Sequence, residues 1–424
     1  MPLGLLLLWL FALATRFWGL TRFSTLVFDE VYFARFGRNY LAGVPFFDAH
    51  PPLGKYLIAL SIWLGGGFHP WGYRWLNALM GSLIPVAVAV LAYLLTQRSR
   101  VALLSGYLVA LDGLFLVESR YALINVPLVL FGVVSQILWL WGLRYRGRAR
   151  SLWLVAAGIV FGACIAVKWS GLGFLLGVGL FWLLQRQLPL SAEWKTTYQT
   201  TYEWWQMCLL LPLVTFVVYT LLWWPHLQFH PHQSLLELHR QMFDFHRSVA
   251  STAHPYCSPW WSWPLLLRPM SYFFQKVQTL SEAVPVIGPP LPLADTQWVY
   301  AVYALFNPPL LWLGTLAALA LFPLGLIPLA GRFVLLNYAA NLLPWALVSR
   351  CVFIYHYLPA ALYSFMALAL VWEASHAWGV WARWARLAVL GGVLGGFLYW
   401  LPLYLGLPVT PQSFFRRMWL RSWI

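Results

Sequence analysis

The sequence predicts an all-α polytopic membrane protein, and three observations carry that reading. Of the 424 residues, 61% are hydrophobic and 9% charged. A soluble globular chain is about 45–50% apolar and about 25% charged, so the surplus apolar surface here has to face lipid. The apolar residues are gathered into uncharged runs, several near the ~20 residues that a bilayer core requires. Those runs lack the two-residue alternation of barrel strands, and backbone in lipid must satisfy its own hydrogen bonds, which leaves helices. An ordinary soluble protein, a disordered chain and a fibrous repeat are excluded by the same arithmetic.

Taken in order, the runs cover residues 2–15, 76–96, 101–117 (interrupted by Asp112), 122–143, 152–167 and 169–185. The second half adds 206–224, then 298–349, long enough for two spans parted near Gly331 and Arg332, then 352–372 and 387–405. The count is about eleven spans in one membrane domain, residues 1–424, with no internal repeat and no separate soluble domain. The opening MPLGLLLLWLFALATRFWGL imitates a signal peptide but lacks a basic n-region and a clear small-residue cleavage site, so it reads as a retained first span.

The formal charge of +15 comes from 27 basic and 12 acidic residues, and 23 of the basic ones are Arg in short groups between apolar runs. That scatter argues against nucleic acid as a partner and for membrane topology. Placing the Arg144–Arg150 loop on the cytoplasmic side also places Arg98 and Arg100, Arg186 and Lys195, Arg332, and Arg383 with Arg386 there, because each group lies an even number of spans away. Residues 16–75 and 225–297 then form two outer loops. The tail carrying Arg416, Arg417 and Arg421 falls outside, against the rule, which requires either a different span count or an interfacial tail.

Chemistry gathers in the outer loops. Asp29 and Glu30 stand together in FDEV, where adjacent side chains point in different directions, so one can take a proton while the other holds a partner; a hydrated helix cap is the plainer reading of such a pair. In FFDAHPPLGK, the two prolines force His50 into extended backbone, Gly54 permits close approach, and Lys55 supplies a cation beside an apolar stretch. Arg120 and Lys168 each end a span at the same face, either snorkelling to headgroups or converging on a lipid-linked phosphate. Six of the ten histidines lie in 225–297, but no acidic residue completes a metal motif with His226 and His230. Metal ligands are therefore not assigned, and a divalent cation stays open. Trp169, Trp260 and Trp261 are candidates for stacking on a substrate, or for interfacial anchoring. Cys164, Cys208, Cys257 and Cys351 stand too far apart to indicate a zinc site or a disulfide framework, leaving the redox compartment undetermined.

The succession FDEVYF, FFDAHPPLGK, VESRYALINVPL, AVKWSG, HPYCSPWWSWPLLLRP, LFNPPLLW and YHYLPA, spread over residues 16–365, resembles the protein O-mannosyltransferase family, especially its compact bacterial branch. The resemblance implies a GT-C membrane fold of about eleven helices, with residues 16–75 forming the outer loop that holds the catalytic acidic pair. It implies a polyprenyl-phosphate sugar donor, most often mannose, and inverting transfer to Ser or Thr hydroxyls of a protein at the outer face of a bacterial plasma membrane. Asp29 matches the family's general base, and Glu30 its companion, organised through Arg120. His50, Lys55, Arg120 and Lys168 match the surroundings of the donor. Asn125 stands where relatives commonly show Asp, and the 225–297 loop is too short for the β-trefoil domain of the eukaryotic enzymes. A transferase acting on a lipid or glycan fits the same hydropathy, and a transporter or flippase is the alternative of a different class.

Overall fold

The computed structural model describes residues 1–185, 204–250, 254–277, 298–326 and 329–424. Arg186 and Lys195, expected on the inner side, lie outside the described residues. The first half of the bundle comprises α1 (Pro2–Phe17), α2 (Glu30–Ala42), α3 (Leu53–Leu64), α4 (Pro70–Thr96), α5 (Ser99–Ala110), α6 (Gly113–Arg120), α7 (Asn125–Gly142), α8 (Gly147–Val167) and α9 (Leu172–Gln185). It continues with α10 (Leu211–Leu221), α11 (Trp224–Leu227), α12 (Leu235–Ser248), α13 (Pro308–Ala320), α14 (Leu329–Leu342), α15 (Leu358–Ala374), α16 (Val380–Leu405) and α17 (Pro411–Arg416). Among the described residues, six helices are long and apolar enough to cross a membrane, seven if α5 and α6 form one broken span bent by 61°. Four shorter apolar helices accompany them.

The break falls at Asp112, the residue that interrupts the apolar run. Its Oδ1 accepts from Phe115 N–H at 3.0 Å and caps α6, while Oδ2 accepts from Asn307 N–H at 2.9 Å. The carboxylate thus satisfies backbone donors that the bend would leave unpaired. Close helix approach relies on glycine at Gly81, where a Cβ would lie 2.1 Å from Ser119 Oγ.

One expected span begins differently. Residues 298–304, placed by hydropathy at the head of a helix, form strand β2 (Trp298–Ala304), paired antiparallel with β1 (Met270–Val277) and with a short β3 (Pro408–Val409). The segment WVYAVYA is aromatic and β-branched, and all but its first residue are buried, so its hydropathy equals that of a span while its side chains favour a pleated surface. The α-helical bundle therefore carries a small sheet. The basic tail that broke the charge rule packs beside that sheet. Arg268 donates to the carbonyls of Ser422 and Ile424, and Trp423 Nε1 donates to Leu266 O at 2.7 Å. Its position is set by these contacts rather than by loop charge.

The stretch between α1 and α4, expected as an outer loop, contains α2 and α3 and is fixed to the bundle by a buried ion pair. Glu30 and Arg74 are both inaccessible to solvent, with Arg74 Nε to Glu30 Oε1 at 2.8 Å and Nη2 to Oε2 at 2.7 Å. Val27 N–H and Ala122 N–H each donate to the same carboxylate at 2.8 Å, and the guanidinium also reaches the carbonyls of Leu20, Phe23 and Thr25. Every polar atom of the pair is engaged, which offsets the cost of removing two charges from water. The sequence analysis assigned Arg120 to this task. Instead, Arg120 donates to the carbonyls of Thr15, Arg16, Trp18 and Gly19, at and just beyond the end of α1.

The cysteines also differ from expectation, because Cys257 and Cys351 form a disulfide across 94 residues. Ser258 N–H donates to Val352 O at 2.8 Å and Cys351 N–H to Ala250 O at 3.2 Å, so two distant segments run side by side there. Sequence spacing carries no trace of that pairing.

Arg74→Ala leaves the Glu30 carboxylate buried and uncompensated, which costs about 3–5 kcal/mol. Thermal unfolding in detergent should show a clear loss for Arg74→Ala and partial recovery in an Arg74→Met, Glu30→Leu double variant; an unchanged melting temperature for Arg74→Ala contradicts the role given to the pair. Alkylation of the unfolded, unreduced protein should label two cysteines, rising to four after reduction; four labels without reduction contradict the disulfide.

Candidate active site

Alternation of helix direction brings the start of α4, the end of α6, the start of α7 and the end of α8 to one end of the bundle, with Arg98 and Arg144 at the other. Arg74, Glu118, Asn125 and Lys168 occupy the first of these ends, facing the acidic pair. Asp29 sits at the N-cap position of α2, yet its side chain accepts no capping hydrogen bond. Glu30 is turned inward to Arg74, which leaves Asp29 half-buried on the other side of the chain. Burial pushes the Asp29 carboxyl up to about 7, against the attraction of Lys168 and with Asp48 adding to the rise. The preceding residue, Phe28, holds a left-handed backbone with φ of 54°, a conformation that costs a bulky side chain energy and persists where surroundings enforce it.

Behind Asp29 runs a buried polar chain. Tyr272, on β1, donates to Glu118 Oε1, Asn125 Nδ2 donates to Glu118 Oε2 at 3.2 Å, and Lys168 Nζ donates to Asn125 Oδ1 at 3.1 Å. Lys168 also lies over the Tyr355 ring at 5.3 Å. Asn125, the departure noted in the sequence, is thus a neutral bridge between Glu118 and Lys168. Its amide orients both neighbours without adding charge.

Lys168 forms part of the wall of a cavity of about 890 Å³. Its polar part holds His50, Lys168, His246, Arg247 and Arg350, and its remainder is mainly apolar, including Leu172, Leu176, Phe243 and Trp345. Burial, with Lys168 and Lys55 close by, drives the His50 imidazole well below its ordinary value, and burial with Arg350 nearby takes His246 down to about 4. Both rings are therefore neutral at pH 7, and the positive charge of the cavity belongs to Lys168 and the arginines. Trp169 lines the same wall. Its Nε1 donates to Tyr219 Oη at 3.0 Å, Tyr219 donates to His239 Nε2 at 2.5 Å, and His239 Nδ1 donates to Leu235 O at 2.7 Å.

Of the expected site residues, His50, Lys168 and Trp169 line the cavity, and Asp29 lies outside its wall within electrostatic reach of Lys168. Lys55 does not reach the cavity: its ammonium is shared among Asp48 Oδ2 at 2.5 Å and the carbonyls of His50 and Pro51, both at 2.6 Å. All three protons are committed, and the residue shapes the HPPLGK turn. Arg120 belongs to the end of α1. Trp260 and Trp261 stand outside the cavity wall, with Trp261 exposed, whereas Trp263 is buried and stacks on His356. His226 meets Tyr40 at 2.8 Å and His230 meets Phe46 O at 3.1 Å, so these histidines tie the segment after α10 to α2 and the turn that follows it. No group of three His, Cys, Asp or Glu side chains converges among the described residues. The sequence reading missed Arg74, Tyr272, His246 and Arg350, and gave Glu118 no role; Arg350 lies five residues before the quoted YHYLPA, and a lone cation beside such a motif was the available signal.

Comparison with known proteins identifies the family and the fold. A sequence profile of dolichyl-phosphate-mannose-protein mannosyltransferases matches residues 6–71 and 67–230, and one of the C-terminal four-helix region of protein-O-mannosyltransferases matches 231–330 and 326–423. Polyprenol-phosphate-mannose–protein mannosyltransferase of Mycolicibacterium smegmatis is 25% identical, covering 97% of this chain and 91% of its own. The enzyme of that name from Corynebacterium glutamicum is also 25% identical, over 97% of this chain and 92% of its own. Among solved structures, the Saccharomyces cerevisiae Pmt1-Pmt2 complex bound to the sugar donor superposes with a TM-score of 0.82 at 17% identity, over 100% of this chain and 92% of that one. ArnT from Cupriavidus metallidurans bound to undecaprenyl phosphate gives 0.58 at 14% identity, over 95% of this chain and 73% of its own. With both profiles together running nearly the length of the chain, this protein belongs to the protein O-mannosyltransferase family and has the GT-C membrane fold.

Proposed function

We propose that the protein transfers mannose from a polyprenyl phosphate to Ser or Thr hydroxyls of a protein acceptor, with inversion, at the outer face of a bacterial plasma membrane. The observation that carries this reading is the placement of a carboxyl raised toward neutrality, Asp29, within electrostatic reach of Lys168, which lines a cavity that is cationic at one part and mainly apolar elsewhere. A polyprenyl phosphate has matching parts. Its phosphate meets Lys168 and Arg350, and its isoprenoid chain lies along the Leu172, Leu176 and Trp345 wall.

In the reaction, the acceptor oxygen attacks the anomeric carbon as its proton passes to Asp29, and the bond from that carbon to the phosphate oxygen breaks on the opposite side. One displacement inverts the anomeric centre. Lys168 and Arg350 hold the charge that develops on the departing phosphate. A hydroxyl is a poor nucleophile at pH 7, so a base close to neutrality is suited to assist it. Outer-face placement draws support from the Cys257–Cys351 disulfide, since disulfides persist in oxidising compartments. The Arg144–Arg150 loop at the other end of the bundle is consistent with a cytoplasmic side.

Asp29→Asn removes the base and should lower kcat by about 10²–10⁴-fold with the fold retained; near-normal transfer of labelled mannose to a peptide by the well-folded variant contradicts the assignment. Because the base acts ionised and its carboxyl sits at about 7, kcat/KM of the wild type should fall as pH drops below about 7 and level off above it. A flat profile from pH 5 to 8 opposes that. Lys168→Ala should raise the donor KM about tenfold or more while leaving acceptor KM near normal, as expected for loss of a charge-assisted hydrogen bond; a defect confined to the acceptor speaks against the phosphate contact.

A further inference from the structure

The small sheet meets the catalytic segment at one residue, Tyr272. Strand β1 pairs with β2 as Met270 to Ala304 and Ser271 to Tyr303, then resumes at Phe273 to Val302, so Tyr272 is an extra residue without a partner in the ladder. Such a bulge turns a side chain out of the regular alternation. Here the side chain is buried, its ring lies 3.9 Å from that of Phe28 with 10° between their planes, and its hydroxyl donates to Glu118. Phe28 also meets Tyr355 edge-on at 6.0 Å. Phe28 is the residue with φ of 54°, directly before Asp29.

From these contacts we infer that Tyr272 is a positioning residue for the reaction: its ring, tethered to Glu118, clamps Phe28 in the left-handed conformation that aims the Asp29 carboxylate. The inference rests on Asp29 being the base. A bulky side chain leaves the left-handed region readily unless held. With Phe28 relaxed toward the usual negative φ, the backbone entering α2 rotates, while Glu30 remains fixed by Arg74, Val27 and Ala122. The change is then concentrated on the intervening carboxylate. Tyr272 is not among the residues that line the cavity, so its removal is expected to alter orientation rather than donor binding.

The test compares Tyr272→Ala, Tyr272→Phe and Phe28→Ala with the wild type in proteoliposomes, using labelled polyprenyl-phosphate mannose and a Ser/Thr peptide, after thermal unfolding has shown each to be folded. Misplacement of a catalytic group by about 1 Å costs up to about a hundredfold in rate. Tyr272→Ala and Phe28→Ala should each lose about 10- to 100-fold in kcat with donor KM within about twofold, and Tyr272→Phe, which keeps the stacked ring, should recover most of that loss. If Tyr272→Ala fails to fold, the comparison of Phe28→Ala with Tyr272→Phe carries the same decision. Unchanged kcat in Tyr272→Ala or Phe28→Ala, or a loss seen only as a raised donor KM, overturns the inference. Asp29→Asn run in parallel separates the two levels: an inactive Asp29→Asn beside a normal Tyr272→Ala removes the clamp alone, whereas an active Asp29→Asn removes the base on which it rests.

Discussion

The buried pair of Glu30 and Arg74 is the constraint from which the site follows. A carboxylate without solvent contact is expensive unless each oxygen is engaged, and Glu30 meets that demand with two guanidinium and two backbone donors. The same guanidinium gathers the carbonyls of Leu20, Phe23 and Thr25, so the chain between α1 and α2 is tied to α4 and to the turn after α6. With Glu30 fixed inward, its neighbour cannot share that environment. Asp29 is left facing Lys168 without a capping bond, and burial there raises its carboxyl to about 7, as the base proposed above requires.

Around this point the protein divides its charges by task. Cations that hold the fold are saturated: Arg74 by Glu30, Lys55 by Asp48 and two carbonyls, Arg120 largely by the carbonyls at the end of α1. Lys168 and Arg350 are different, each lining the cavity and donating one side-chain hydrogen bond among the described residues. In the proposed function, their remaining donors serve the incoming phosphate. The disulfide belongs to the same design, since Cys351 directly follows Arg350 and is anchored to Cys257 and Ala250, limiting how far that arginine can wander.

Much of this was legible in the sequence. Hydropathy located most helices, Asp112 interrupts the apolar run at the point where α5 and α6 part, and the FDEV, HPPLGK and VKW segments lie at one end of the bundle. What stayed hidden depends on long-range placement. Trp298–Ala304 has the hydropathy of a span, and only burial between sheet partners makes it a strand. Lys55 and Arg120 carry the residue types of a phosphate site, but their protons are spent on nearby carbonyls, which composition does not encode. Arg74 stands alone among apolar residues near the start of α4, and only the fold brings Glu30 to it. Tyr272 is one of 21 tyrosines and is singled out only by the bulge that turns it toward Glu118.

The central claim is spatial, that Asp29 faces the anomeric carbon of a donor whose phosphate is held by Lys168 and Arg350. Cryo-electron microscopy of the Asp29→Asn protein in nanodiscs with polyprenyl-phosphate mannose tests it directly. The account predicts phosphate density between Lys168 and Arg350, the isoprenoid along the Leu172 and Leu176 wall, and the sugar against position 29. Donor density elsewhere, with the phosphate away from Lys168 or the sugar out of reach of position 29, would contradict it.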